Sequence, residues 1–156
     1  MCGRYTLFHP IGKLFDLPDE PALPARYNIA PTQDVPVVLA APGGGGGAGG
    51  ACRQLKMMHW GLIPPWAEDR DFGARLINAR CETAAEKPAF RGAFRRQRCL
   101  IPADGFFEWQ KLPAGGKQPF HIRLAGGGVF AFAGLWGPWQ DPAGGLVESC
   151  TILAGG

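Results

Sequence analysis

Glycine and proline punctuate this chain so often that only short elements fit between them. There are 24 glycines and 15 prolines among 156 residues, and neither residue sits comfortably inside a long helix or a central strand. Apolar stretches between such breakers read as short strands joined by turns. Strands are expected over the opening CGRYTLF and at 35–40, 53–60, 99–101, 106–110, 119–124, 129–136 and 146–153. Short helical pieces are expected at 11–15, stopped by Pro18, at ETAAEK (82–87), ending before Pro88, and at 89–96. The pattern predicts an α+β fold, mainly β: a curled sheet or barrel with small helices outside it. The length suits one domain over 1–156. The polyglycine run 43–50 is read as a flexible loop in a hairpin. A phosphate-binding loop would need a following helix and usually a lysine.

Hydrophobic residues make up 46% of the chain, with 5 Trp and 10 Phe, enough for a real core. No run of 18 apolar residues exists, so no membrane span is expected. Arg4 and Tyr5 stand where the apolar part of a signal peptide would begin, which points to the cytoplasm. The five cysteines (Cys2, Cys52, Cys81, Cys99 and Cys150) are odd in number and contain no CxxC pair. A disulfide framework or zinc site is therefore not expected. His9, His59 and His121 are scattered without ligand spacing, and no metal or cofactor is expected. The net charge of +3 permits nucleic-acid binding without establishing it. Arg91, Arg95, Arg96 and Arg98 fall close together with no acid among them. They read either as a track for backbone phosphates or as a solvated basic face.

Cys2 carries the most specific chemistry. Removal of Met1 would leave a residue with both a free α-amine and a thiol. Such an aminothiol captures aldehydes: the amine forms a Schiff base, and the sulfur closes on the imine carbon to give a thiazolidine. An α-amine titrates near 7.7–8.0, far below a lysine, so part of it is neutral at pH 7. The thiol, with an ordinary value near 8.5, is expected to be partly ionised too.

Five segments in order, MCGRYTL, RYNIAPTQ, MHWGLIPPWA, LINARCETAAEKPAFRGAFRRQRCLIPADGFFEWQK and ESCTIL, closely resemble the SOS response-associated peptidase (SRAP) family over nearly the whole chain. The resemblance implies a sensor of abasic sites in single-stranded DNA that cross-links to the lesion through its N-terminal cysteine. It also implies a monomer with no membrane partner. Carried over by motif, Cys2 is the nucleophile, Asn78 and Arg80 an active-site pair, and Glu108 the catalytic glutamate. Trp66 is an aromatic beside the DNA, and Arg4 is a candidate phosphate contact.

The residues suit these roles, although each has a plainer reading. On a strand, Glu108 faces away from Phe107 and Trp109; in a partly buried pocket its pKa would rise and it could move protons. Otherwise it is a solvated strand residue. Asn78 can donate and accept, holding the opened sugar or the Cys2 backbone, or can serve as a loop or cap residue. Arg80 has the planar fork for a phosphate, or is simply a surface arginine. Trp66 can stack on a base, while Trp60 reads as core.

The family also carries a later H-x-R-x-P segment whose histidine joins the site, and this sequence has no such motif. The end is read as a truncation that slows sugar opening, leaves a sheet edge unpaired and lowers stability. Three other readings remain: a non-covalent single-strand-binding module, a thiol (auto)peptidase, and an N-terminal-nucleophile amidotransferase. The last shares the Met-Cys-Gly start but not the glutamine-binding motifs.

Overall fold

The computed structural model describes residues 1–41 and 53–156, and the polyglycine stretch lies outside the described residues. The strands are β1 (Tyr5–Leu7), β2 (Arg26–Ile29), β3 (Asp34–Leu39), β4 (Gln54–Trp60), β5 (Asn78–Arg80), β6 (Arg98–Ala103), β7 (Gly105–Lys111), β8 (Lys117–Ile122), β9 (Phe130–Gln140) and β10 (Leu146–Ala154). One α-helix, α1, spans Arg91–Arg96, and a 3₁₀ turn spans Arg70–Arg75. None of these helices is long and apolar enough to cross a membrane.

Strands β4, β3, β6, β9 and β10 lie side by side, and β10 returns to β4 to close a five-stranded barrel. The closing pair is parallel, with Ser149 opposite His59 and Cys150 opposite Trp60. Further along β10 its partner becomes β5, with Ile152 opposite Asn78. β4 must turn away to make room for β5, and it does so at Gly61. That residue has φ +131°, and a Cβ there would lie 2.5 Å from the Gly73 carbonyl oxygen. Only glycine meets both demands.

The core fills the barrel. Val35, Val37 and Val38 of β3 are buried, with Met58, Trp60, Ile101, Cys150 and Ile152 beside them. Tyr5 joins them, its ring edge-on to Trp60 at 5.3 Å and to Phe132 at 5.8 Å. β1 belongs to a second sheet, ordered β2-β1-β7-β8. Asp104 alone separates β6 from β7, so the chain passes from barrel to second sheet at this buried residue. Its carboxylate accepts hydrogen bonds from the Thr6 hydroxyl and from the main-chain N–H of Phe8 and His9. His9 Nδ1 lies 3.1 Å from the same carboxylate, and His121 Nε2 lies 3.1 Å from the Thr6 hydroxyl. Two histidines that look scattered in sequence thus meet at one corner.

Several expectations need correction. The piece expected to be helical at 11–15 is a run of turns, in which the Phe15 N–H donates to the Ile11 carbonyl and the Leu17 N–H to that of Gly12. ETAAEK is a series of turns rather than a helix: the Arg80 carbonyl accepts from Thr83 and Ala84, and that of Thr83 from Glu86 and Lys87. Pro88 has no N–H to continue the ladder and disfavours helical geometry at Lys87 before it. The segment with Asn78 is a strand, and Arg26–Ile29 is another that the sequence pattern does not announce. The remaining expected strands are present with shifted ends, and the 89–96 piece contributes α1.

Candidate active site

The site assembles where the chain's first residues cross the two sheets. β1 pairs with β7, with Tyr5 opposite Phe106. This brings the N-terminus alongside Glu108, and the Met1 amine donates to Glu108 Oε1 at 3.0 Å. From the other side β5 presents Asn78, whose Nδ2 donates to the Cys2 carbonyl at 2.8 Å. Parallel pairing with β10 fixes β5 in place, and alternation puts Asn78 and Arg80 on one face while Ala79 enters the core. Cys2, Asn78 and Glu108 therefore converge on the amino terminus.

Their surroundings differ. Met1 is 71% exposed, whereas Cys2 beneath it is 5% exposed. Cys2 Sγ lies 3.5 Å from the Arg4 carbonyl oxygen. Burial pushes the Cys2 thiol up to about 11, and the nearby Glu108 carboxylate pushes the same way. The partly ionised thiol expected from residue type is thus corrected: removal from water disfavours the thiolate. Glu108 is half-buried, with its side chain 39% exposed. Asn78 keeps one group in reserve. Its Oδ1 is buried with no partner among the described residues, an acceptor awaiting a donor.

Arg4 is half-buried and donates through Nη1 to Asn28 Oδ1 at 3.1 Å, next to Cys2. Arg80 is exposed at the end of β5. Trp60 is core, with its Nε1 donating to the Ile77 carbonyl beside Asn78. Trp66 is 56% exposed and packs edge-on against Phe72. Arg91 and Arg95 line a cleft with Trp66, but Arg96 is not among its lining residues. Arg4 thus lies beside Cys2 and Arg80 on the face of β5 that bears Asn78, while Trp66, Arg91 and Arg95 gather at this cleft and Arg96 joins neither group.

Sequence reasoning missed two contributors. Asn28 stands out in RYNIAPTQ, yet its grip on Arg4 depends on the β1–β2 pairing. Phe120 sits directly across from Glu108 and remains exposed; the alternation in KQPFHI is the signal for it. Among the described residues no cluster of His, Cys, Asp and Glu suits a metal ion.

Residues 1–155 match the family described as SOS response associated peptidase (SRAP). Abasic site processing protein YoqW of Bacillus subtilis (strain 168) is 40% identical, over 98% of this chain and 67% of that protein. Abasic site processing protein HMCES of Xenopus tropicalis is 31% identical, over 81% of this chain and 44% of its own length. A crystal structure of a Bacteroides thetaiotaomicron protein shares the fold, with TM-score 0.82 at 23% identity, over 99% of this chain and 68% of that one. The chain spans about two thirds of the bacterial relative and under half of the vertebrate one.

Proposed function

Because the chain belongs to the SOS response associated peptidase (SRAP) family, we propose that it processes abasic sites in single-stranded DNA by capturing the sugar aldehyde covalently at Cys2. The observation that carries this reading is the convergence on the amino terminus: Glu108 accepts from the terminal amine and Asn78 donates to the Cys2 carbonyl. Nothing in a simple structural role requires two polar side chains from distant strands to grip the first residues of the chain.

Met1 must leave first, because with Met1 attached the Cys2 nitrogen is an amide and not a nucleophile. The freed amine then adds to the aldehyde to give a carbinolamine, which loses water to form the imine. The Cys2 sulfur adds to the imine carbon, and its proton passes to the nitrogen. No electrons are gained or lost overall, and the adduct weighs the sum of DNA and processed protein less one water. Glu108, which accepts from the Met1 amine while Met1 is attached, would accept the freed Cys2 amine's proton and return it to the departing hydroxyl. Asn78 holds the Cys2 backbone, and its free Oδ1 can accept from a hydroxyl of the opened sugar. Arg4, held by Asn28, and the exposed Arg80 supply cations for flanking phosphates. A chain that keeps Met1 would bind DNA only non-covalently, which is where the second reading applies.

The test is a denaturing gel with intact mass measurement, using an abasic oligonucleotide. The expected result is a shifted band of that mass for the Met1-free protein and none for Cys2→Ser. A stable adduct of undiminished yield in Cys2→Ser would overturn ring closure by sulfur.

A further inference from the structure

We propose that the cleft between the Pro64–Trp66 segment and α1 is a pocket for one nucleobase of the bound strand, separate from the Cys2 site. The inference rests on the reading that the chain binds single-stranded DNA. The cleft has a volume of about 330 Å³, at the lower end of the range for small-molecule sites, about 300–1,000 Å³. Leu62, Ile63, Trp136 and Pro138 contribute apolar surface to it. Trp66 stands at its edge, a large aromatic left more than half in solvent.

The polar groups around this apolar space narrow the ligand. Arg91 and Arg95, one helical turn apart on α1, line the same wall, and no acidic residue lines the cleft. Neither guanidinium has an ion-pair partner among the described residues. The Gln97 amide also lines the cleft, and Gln97 shows no side-chain hydrogen bond among the described residues. Apolar walls suit a flat ring, and arginines suit an anion attached to it. A free amide, with a donor and an acceptor side by side, suits the polar edge of a base. Together these describe a nucleotide unit rather than an apolar peptide.

The cleft is also tied to the Cys2 site. The Leu62 N–H donates to the Leu76 carbonyl at 3.1 Å, and Trp60 Nε1 donates to the Ile77 carbonyl at 3.0 Å. One wall of the cleft is thus anchored to the two residues that precede Asn78.

Gly137 offers a mild way to obstruct the pocket. A Cβ there would lie 3.6 Å from Gln97 Oε1 and 4.0 Å from Leu62 Cδ1, ordinary contact distances. Gly137→Ala therefore adds a methyl to the cleft without forcing the fold, and Gln97→Ala removes the amide as an independent variant. Fluorescence anisotropy would compare two single strands of the same length that both carry one central tetrahydrofuran unit for the Cys2 site, one with bases at every flanking position and one built from base-less tetrahydrofuran units throughout. Wild-type protein is expected to favour the base-bearing strand about tenfold, with each variant reducing that preference to about twofold, given the usual strength of base stacking.

Wild-type protein with no preference, or variants that keep the full preference, would overturn the pocket. A denaturing gel with an abasic strand, run in parallel, separates the two proposals. An adduct band alongside a failed base preference sinks only the pocket. A variant-sensitive preference with no band sinks the covalent reading and leaves the pocket standing.

Discussion

At Cys2 the fold changes the chemistry that the residue type suggests. In the chain that still carries Met1, burial raises the Cys2 thiol to about 11, so its sulfur is protonated at neutral pH. A protonated sulfur suits thiazolidine formation, in which it closes on an imine already formed. Thiolate is also the form that alkylating agents attack. In the Met1-bearing chain, iodoacetamide at pH 8 should therefore modify Cys2, buried and held protonated, far more slowly than the exposed Cys81. Cys2 labelling should rise about tenfold per pH unit up to about 11. Peptide mapping of the labelled protein checks this, and equal rates at pH 8 would refute it. The same shift has a stability sign: the folded state holds the proton more tightly, so its contribution is intact below the ordinary thiol range and is lost as pH climbs towards about 11. Cys2, Asn78 and Glu108 are legible in sequence because each stands in a distinctive motif. Their meeting is not, since the bonds from Asn78 to Cys2 and from Met1 to Glu108 span 76 and 107 positions and depend on sheet pairing.

Among the elements, the longer strands are legible because apolar runs bounded by Gly and Pro leave few alternatives. β2 and β5 are too short to show a period: β2 is fixed by its pairing with the three-residue β1, and β5 by its pairing with the longer β10. The corner between β6 and β7 is likewise hidden, since a lone Asp before Gly reads as a turn. In the fold Asp104 is a buried carboxylate. Burial alone would raise its pKa, but hydrogen bonds from Thr6, Phe8 and His9 outweigh this and hold it below the usual carboxylate value. Asp104→Ala would leave the Phe8 and His9 N–H groups without their acceptor, with an expected loss of about 3 kcal/mol in urea denaturation. The depressed pKa also fixes the sign with pH. Asp104 stabilises the fold above the ordinary aspartate pKa, and that contribution is lost as pH falls through its lower folded value. Asp104→Asn should therefore flatten the acid limb of a stability–pH curve, and an unchanged limb would remove Asp104 from this role.

For the whole molecule, closing the barrel hides the edges of one sheet, while the other sheet ends openly at β8. All six residues of β8 are exposed, and beyond it Leu124 is exposed as well. Phe120 and Ile122 lie on the face that also bears Glu108, so the most apolar exposed strand flanks the candidate site. An open edge with unpaired N–H and C=O groups and apolar side chains is a template for another chain. Folding adds to the exposure, because a barrel closed between β4 and β10 pairs strands far apart in sequence, and such contacts form late. Warming should therefore produce concentration-dependent light scattering and binding of a hydrophobic dye before cooperative loss of secondary structure. Charging the edge with Ile122→Lys and Leu124→Lys should suppress both signals, because lysines on an edge strand repel a second edge. Scattering that is unchanged in this double variant would move the associating surface away from β8, and a reversible, concentration-independent transition in the parent chain would show that the open edge does not destabilise it.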